Sequence, residues 1–339
     1  MRTVILNKPG VFELIDRPEP ASPGPGEALV RIARIGVCGT DYHAFRGRQP
    51  FFTYPRVLGH ELGVEVIALG AGVNGIAVGD RCAVEPYLNC GACIACRNGK
   101  TNCCTQLKVL GVHVDGGMCK SLILPARKLH PSSKLSLDQL ALVETLGIGA
   151  HAVERAQVKK GEWVLVIGAG PIGLAAIQFV QAAGAKLMVM EPNVSRADFC
   201  RRQFRIEHVI SPSDNPVDRL RQITGEEMPT AVFDATGNSQ SMMAAFNLVA
   251  HGGRLIFIGL FIGDVTFHDP DFHRRELTLL SSRNALGSDF KRIIQLIEAG
   301  IVDTAPWITH RGHLMHTPDI FPAWTKPEAG VLKAIIEVD

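Results

Sequence analysis

What this sequence lacks narrows its role early. No block of like charge runs along it: 35 Lys and Arg are scattered among 33 Asp and Glu, leaving a net charge of +2. A protein that follows nucleic-acid phosphates carries a basic patch or stripe, and none is visible here. There is no charged tail, no internal repeat and no low-complexity tract. The opening residues, MRTVILNKPGVFELID, are broken by Lys8, Pro9, Gly10 and Glu13, so they lack the apolar core of a signal peptide. A cytoplasmic protein is expected. Thiols stay reduced there, so nine cysteines favour metal or catalysis over disulfides. One uncharged run, Trp163 to Ala185, has the length of a membrane span. Its glycine turn and its Gln178 and Gln181 fit a soluble strand and helix instead, so neither a membrane nor a nucleic acid is an expected partner.

The 339 residues leave room for two domains with cores of their own. Against that ordinary background, NCGACIACRNGKTNCC at 89–104 is dense in cysteine. Cys90, Cys93, Cys96 and Cys104 follow the spacing C-x2-C-x2-C-x7-C. Tetrahedral zinc needs four sulfurs about 2.3 Å from one point, and a C-x2-C turn brings pairs of them together. Gly91, Gly99 and the polar residues between them let the chain double back to deliver Cys104, with Cys103 spare. Four thiolates leave no open position, so this zinc is expected to be structural.

A second set is spread out: Cys38 in GVCGTDYHAF, His60 and Glu61 in VLGHELG, and Glu144 in LVETLGIGAHA. Catalytic zinc takes three protein ligands and keeps a position for water or substrate. Taken singly, each residue has a plainer role as a core thiol, a hydrogen-bonded histidine or a surface acid. Together, Cys38-Gly39-Thr40-Asp41-Tyr42-His43, Gly59-His60-Glu61 and the four-cysteine lobe resemble the medium-chain zinc-dependent alcohol dehydrogenases, in the family's order along essentially the whole chain. Many members place a second cysteine on the catalytic zinc. Here no cysteine lies between Cys119 and Cys200, and Glu144 stands in the region of the missing thiol. That is similar to the polyol and threonine dehydrogenase branch, and to its sugar-acid oxidoreductases. The resemblance implies a catalytic zinc on Cys38, His60 and Glu61, with Glu144 approaching or exchanging. It implies a proton relay through Thr40 and His43, and an Asp41 that orients a ligand.

The Trp163–Ala185 run reads as a buried strand, a glycine turn and a helix. Gly168-x-Gly170-x-x-Gly173, completed by Pro171 and Ile172, is a dinucleotide fingerprint that sets the pyrophosphate on a helix N-terminus. KLMVME ends a second strand at Glu191, where a carboxylate accepts ribose hydroxyls and repels a 2′-phosphate, favouring NAD. Arg196 could stack on adenine or attract such a phosphate, and in the resembling family this acid-then-arginine spacing accompanies NAD. Further strands are expected at 207–210, 231–237, 254–260 and 277–282, six in all. Thr236, Gly259 and Leu260 fall at their carboxyl ends, along the cofactor's path. Ser282 and Arg283 match a family segment on the nicotinamide side.

The expected fold is α/β: a doubly wound parallel six-stranded Rossmann domain at 153–285, and a GroES-like distorted β-barrel at 1–152 carrying the zinc lobe. In the family, 286–339 returns to the barrel domain, here with a helix near 288–299. The resemblance implies a homodimer or homotetramer, and the protein is expected to hold two zinc ions per chain. It moves hydride from a secondary alcohol to NAD, and an L-galactonate-like hexonate is the favoured substrate. In FRGRQPFFTYPRVLGHE, Arg46 and Arg48 are candidates for its carboxylate, beside Phe51, Phe52 and Tyr54. A sorbitol-like polyol or L-threonine is the alternative. A zinc-stabilised nucleotide-binding protein without catalysis is the rival of another class, opposed by the intact Cys38, His60 and Glu61.

Overall fold

A computed structural model describes residues 1–49 and 52–338; Phe51 lies outside the described residues. The chain divides into two compact units, Met1–Thr145 with Ala285–Asp339, and Leu146–Asn284. The first divide falls inside the helix Leu137–Ala156, so Glu144 and Thr145 belong to the first unit.

The second unit holds a six-stranded sheet in the spatial order His208–Ile210, Lys186–Met190, Trp163–Ile167, Ala231–Asp234, Arg254–Phe257 and Thr278–Ser281. Every pairing is parallel. This is the doubly wound order, with the switch point beside the first strand, where ligands of such sheets bind. The central strands are short continuous apolar runs, such as WVLVI and AVFD, because helices cover both faces. Two strands stop earlier than their apolar runs suggest, for a local reason. The Asp234 carboxylate captures the Thr236 amide at 2.9 Å. The Asp234 carbonyl accepts both Ile258 N at 2.9 Å and Gly259 N at 3.0 Å. The Ile258 bond is the last of the ladder, whereas the Gly259 bond to the same oxygen and the Thr236 bond to the carboxylate fall outside it and end both strands there. The uncharged run Trp163–Ala185 is the strand Trp163–Ile167 and the helix Pro171–Ala182. Among the described residues, no helix is long and apolar enough to cross a membrane.

The first unit is built on a seven-stranded sheet. Ile308–His313, Lys333–Glu337, Glu27–Val37, Glu61–Leu69, Arg81–Val84 and Leu129–Pro131 lie side by side, and Ser121–Pro125 also pairs with Glu27–Val37. Its core gathers Val30, Ile32, Ile35, Leu58, Leu62, Val64 and Ile336, all fully buried. The helix Gly287–Glu298 and the strand Lys333–Glu337 bring the C-terminal segment into this unit. Two sites therefore rest on two different sheets.

Candidate metal and cofactor sites

Three neighbouring strands build the first site. Ala334 stands opposite Val37, and Gly36 opposite Glu61. The end of the strand Glu27–Val37 thus delivers Cys38 beside the start of Glu61–Leu69, with His60 just before it. Ligand atoms of Cys38, His60 and Glu61 all lie within 4.8 Å of one another. Glu61 is 0% exposed and His60 5%. An imidazole and a carboxylate buried beside a half-buried thiol are costly unless a cation joins them.

The surroundings fit zinc. Asp41, in the helix Gly39–Phe45, accepts the Cys38 amide at 2.9 Å on Oδ2 and so fixes the turn that presents the thiol. Its Oδ1 stands 3.8 Å from His60 Nδ1, and both atoms are buried without a hydrogen-bond partner. Burial works against a charged His60, yet Asp41 and Cys38 outweigh it and push the ring's pKa well above its ordinary value. The local field favours a cation. A soft sulfur, a nitrogen and an oxygen make a three-ligand zinc set, with Asp41 positioned to orient the histidine.

Glu144 lies within electrostatic reach of His60 and Glu61. It is buried on the helix Leu137–Ala156, and Tyr87 Oη donates to its Oε1. That helix lies tight against the sheet at Gly63, where a Cβ would come 2.3 Å from the Leu137 carbonyl oxygen. Burial raises the Glu144 pKa, partly countered by His60. Glu144 is not among the three clustered ligands. Sequence reasoning missed Tyr87, and it missed Lys333, whose Nζ lies 2.8 Å from each Glu61 oxygen. The signal for Lys333 was a lysine set among the apolar residues of VLKAIIEV.

Thr40 is half-buried and His43 exposed on the Cys38 helix. Partial burial, then the charges of Arg46 and Arg48, lower the His43 pKa. The Arg46 guanidinium donates to the Thr325 carbonyl. Arg48 is exposed.

The second metal group is local. Cys90, Cys93, Cys96 and Cys104 bring their sulfurs within 4.8 Å of one another, and Cys103 stays outside, exposed. Backbone amides aim at these sulfurs: Cys90 N to Cys104 at 3.3 Å, Cys93 N to Cys90 at 3.4 Å and Gln106 N to Cys104 at 3.4 Å. Hydrogen bonds from the amides of Cys96 and Thr105 bring the Cys93 thiol down to about 5, so it is ready to bind as thiolate. All four positions of a tetrahedral zinc are filled, as a structural site requires.

In the second unit, Gly170 caps the helix Pro171–Ala182, so the helix opens directly at the fingerprint. Gly173 packs so closely that a Cβ would meet the Gly168 carbonyl oxygen at 1.8 Å. The Glu191 carboxylate accepts Ala169 N at 2.6 Å and Asn193 N at 2.8 Å, tying the turn to the next strand. Arg196 brings Nη1 to 3.7 Å from where a Gly170 Cβ would be, so its charge lies over the phosphate turn. Thr236 donates its hydroxyl to Asp234 at 2.6 Å, and Gly259 packs on the Gly237 amide. Leu260 is 74% exposed, and Arg283 is also exposed. Ser282 Oγ is buried without a hydrogen-bond partner. A glycine-lined turn on a helix N-terminus, an acid at the next strand end and that unpaired hydroxyl fit a dinucleotide.

Comparison with known proteins gives the family. Residues 24–134 match the alcohol dehydrogenase GroES-like domain, and 171–299 match the zinc-binding dehydrogenase family. L-galactonate-5-dehydrogenase of Escherichia coli K12 is 42% identical over 290 residues, 85% of either chain. L-threonine 3-dehydrogenase of Pyrococcus horikoshii is 31% identical, covering 92% of this chain and 91% of its own. A crystal structure of RspB from E. coli CFT073, complexed with cofactor NADH, superposes with a TM-score of 0.92 at 28% identity and covers 99% of both chains. With its Cys38–His60–Glu61 centre, its four-cysteine site and its Rossmann sheet, the chain belongs to the medium-chain zinc-dependent alcohol dehydrogenase family and is an NAD-dependent oxidoreductase of that kind.

Proposed function

We propose that this enzyme oxidises a secondary hydroxyl of an L-galactonate-like hexonate to a keto acid. The observation that carries the reading is the 42% identity to L-galactonate-5-dehydrogenase across 85% of both chains. The arginines support it: Arg46 and Arg48 both act on His43 electrostatically, so two guanidinium groups flank the relay helix. Arg46 is engaged by the Thr325 carbonyl, which leaves Arg48 the better clasp for a substrate carboxylate.

When bound, zinc supplies Lewis-acid stabilisation of the substrate oxygen and NAD takes the hydride. Cys38, His60 and Glu61 hold the metal, while Asp41 sets the Cys38 turn and faces the His60 ring. The Thr40 hydroxyl and the His43 imidazole, on one helix, pass the alcohol proton to solvent. His43 does this as the neutral base, which its lowered pKa favours at neutral pH. Glu144, held by Tyr87, lies beside the metal as a buried acid within reach through water. Gly168, Gly170, Pro171, Ile172 and Gly173 cradle the pyrophosphate, and Glu191 receives the ribose hydroxyls. Arg196 faces the phosphates, while Thr236, Gly259, Leu260, Ser282 and Arg283 border the nicotinamide path. We read the chain as a cytoplasmic homodimer or homotetramer, in keeping with its family; light scattering on the purified protein measures the oligomer.

A hexonate and its neutral polyol, compared in wild type and in Arg46→Ala and Arg48→Ala, test the substrate. The acid should be preferred, and Arg48→Ala should raise its KM about tenfold while barely changing that of the polyol. A wild type that prefers the polyol would replace the hexonate with a sorbitol-like substrate. L-threonine remains the second reading because of the 31% identity to L-threonine 3-dehydrogenase, and it belongs in the same panel.

A further inference from the structure

Lys333 has no place in the ligand motif or in the relay. It is 2% exposed, at the first position of the strand Lys333–Glu337. Its Nζ lies 2.8 Å from Glu61 Oε1 and 2.8 Å from Oε2, and it also reaches the Val37 carbonyl at 3.1 Å and Thr145 Oγ1 at 3.2 Å. The Glu61 side chain lies across Gly36, where a Cβ would meet Oε2 at 2.0 Å. So the carboxylate reaches the lysine through a space that only glycine leaves open. A lysine buried this deeply needs a partner charge to remain an ammonium, and Glu61 is the anion in contact with it.

The consequence lies in the donor strength of Glu61. Each of its oxygens gives a lone pair to the ammonium, and a carboxylate so polarised is a poorer metal donor than a free one. We propose that Lys333 is a positioning residue that keeps Glu61 a weak, exchangeable ligand, and so keeps one position at the metal open for substrate. Without Lys333, the Glu61 carboxylate is left in a dry site with the metal as its only cation. It should then bind the metal more closely, through both oxygens.

The inference rests on Cys38, His60 and Glu61 holding the metal, and that premise is checked separately: Cys38→Ser should lose one zinc per chain by elemental analysis, and full retention would sink the premise rather than this proposal. The proposal itself is read from zinc release to a chromophoric chelator and from the visible spectrum of the cobalt-substituted protein. Lys333→Met should slow release of the catalytic zinc about tenfold or more, the scale on which outer partners alter metal sites. It should also weaken the cobalt d–d bands, as a rise in coordination number does. In a Glu61→Gln background the same substitution should change neither reading. If Lys333→Met does not fold, Lys333→Gln, which keeps a donor but no charge, should slow release in the same direction by a smaller factor. Release at the wild-type rate or faster, or equal slowing with and without the Glu61 carboxylate, would overturn the proposal.

Discussion

Two metal sites stand in one unit of this protein, and they are made in opposite ways. The four-cysteine lobe is a loop between residues 89 and 104, tied by its own amides, and most of it is exposed. The Cys38–His60–Glu61 centre forms where the strands Glu27–Val37 and Glu61–Leu69 meet, with Lys333 brought in by a strand from the far end of the sequence, and its histidine and carboxylate are shut away from water with Asp41, Glu144 and Lys333. One site holds the chain together. The other holds charges in readiness, and each charge has a partner chosen by the sheet. A site that only stabilises can be closed and local, whereas a site that turns over needs an open position and groups that restrain its ligands.

Breaking each site in turn is the sharpest way to separate them. Cys38→Ser should leave a folded protein with turnover down on the order of a thousandfold or more, since the Lewis acid supplies several kcal/mol. Circular dichroism beside steady-state kinetics checks both halves of that outcome. Cys93→Ser should do the reverse, lowering Tm by roughly 5–10 °C from loss of a structural metal, with kcat of the surviving fold largely kept. If the two substitutions gave the same phenotype, the division of labour would be wrong.

Smaller effects sharpen the comparison. Asp41→Asn should weaken retention of the catalytic zinc about 10–100-fold in a chelator titration while the four-cysteine zinc stays put. The relay supplies a pH signature. Burial, Arg46 and Arg48 lower the His43 pKa, so the neutral base persists to lower pH than for an ordinary histidine. Removing a nearby cation stabilises the protonated ring and raises that pKa. The acid limb of kcat/KM for alcohol oxidation should therefore move up by a few tenths of a pH unit in Arg48→Ala. A limb that stays put, or moves down, would take His43 out of the relay.

The contrast also explains what could be read in advance. The lobe was legible because its ligands sit at turn spacing in consecutive residues, so chain geometry alone brings them together. The Rossmann half was legible for a similar reason: a strand, a glycine turn and a helix follow one another without interruption, and Glu191 ends the next strand. Its strands at 231–237 and 254–260 end earlier in the structure, because periodicity does not reveal that the Asp234 carboxylate takes the Thr236 amide or that its carbonyl takes a second amide, from Gly259. Cys38, His60 and Glu61 could be named through motifs. Lys333 and Tyr87 could not, because their roles depend on which strands lie side by side and on how closely the helix Leu137–Ala156 approaches. Lys333 looked like one more charge near the C-terminus until its strand was placed beside Glu27–Val37.

The central claim is that one protein carries a closed structural zinc and an open catalytic one, and timed chelation tests it most directly. Purified enzyme is exposed to a chelator, and zinc content, NAD reduction with a hexonate or polyol, and secondary structure are followed on the same samples. The account predicts two zinc ions per chain at the start. One should leave together with activity while the fold is retained, and the other should leave only as the fold is lost. Full activity in protein holding one zinc or none, or the loss of both ions in a single step with the fold, would contradict it.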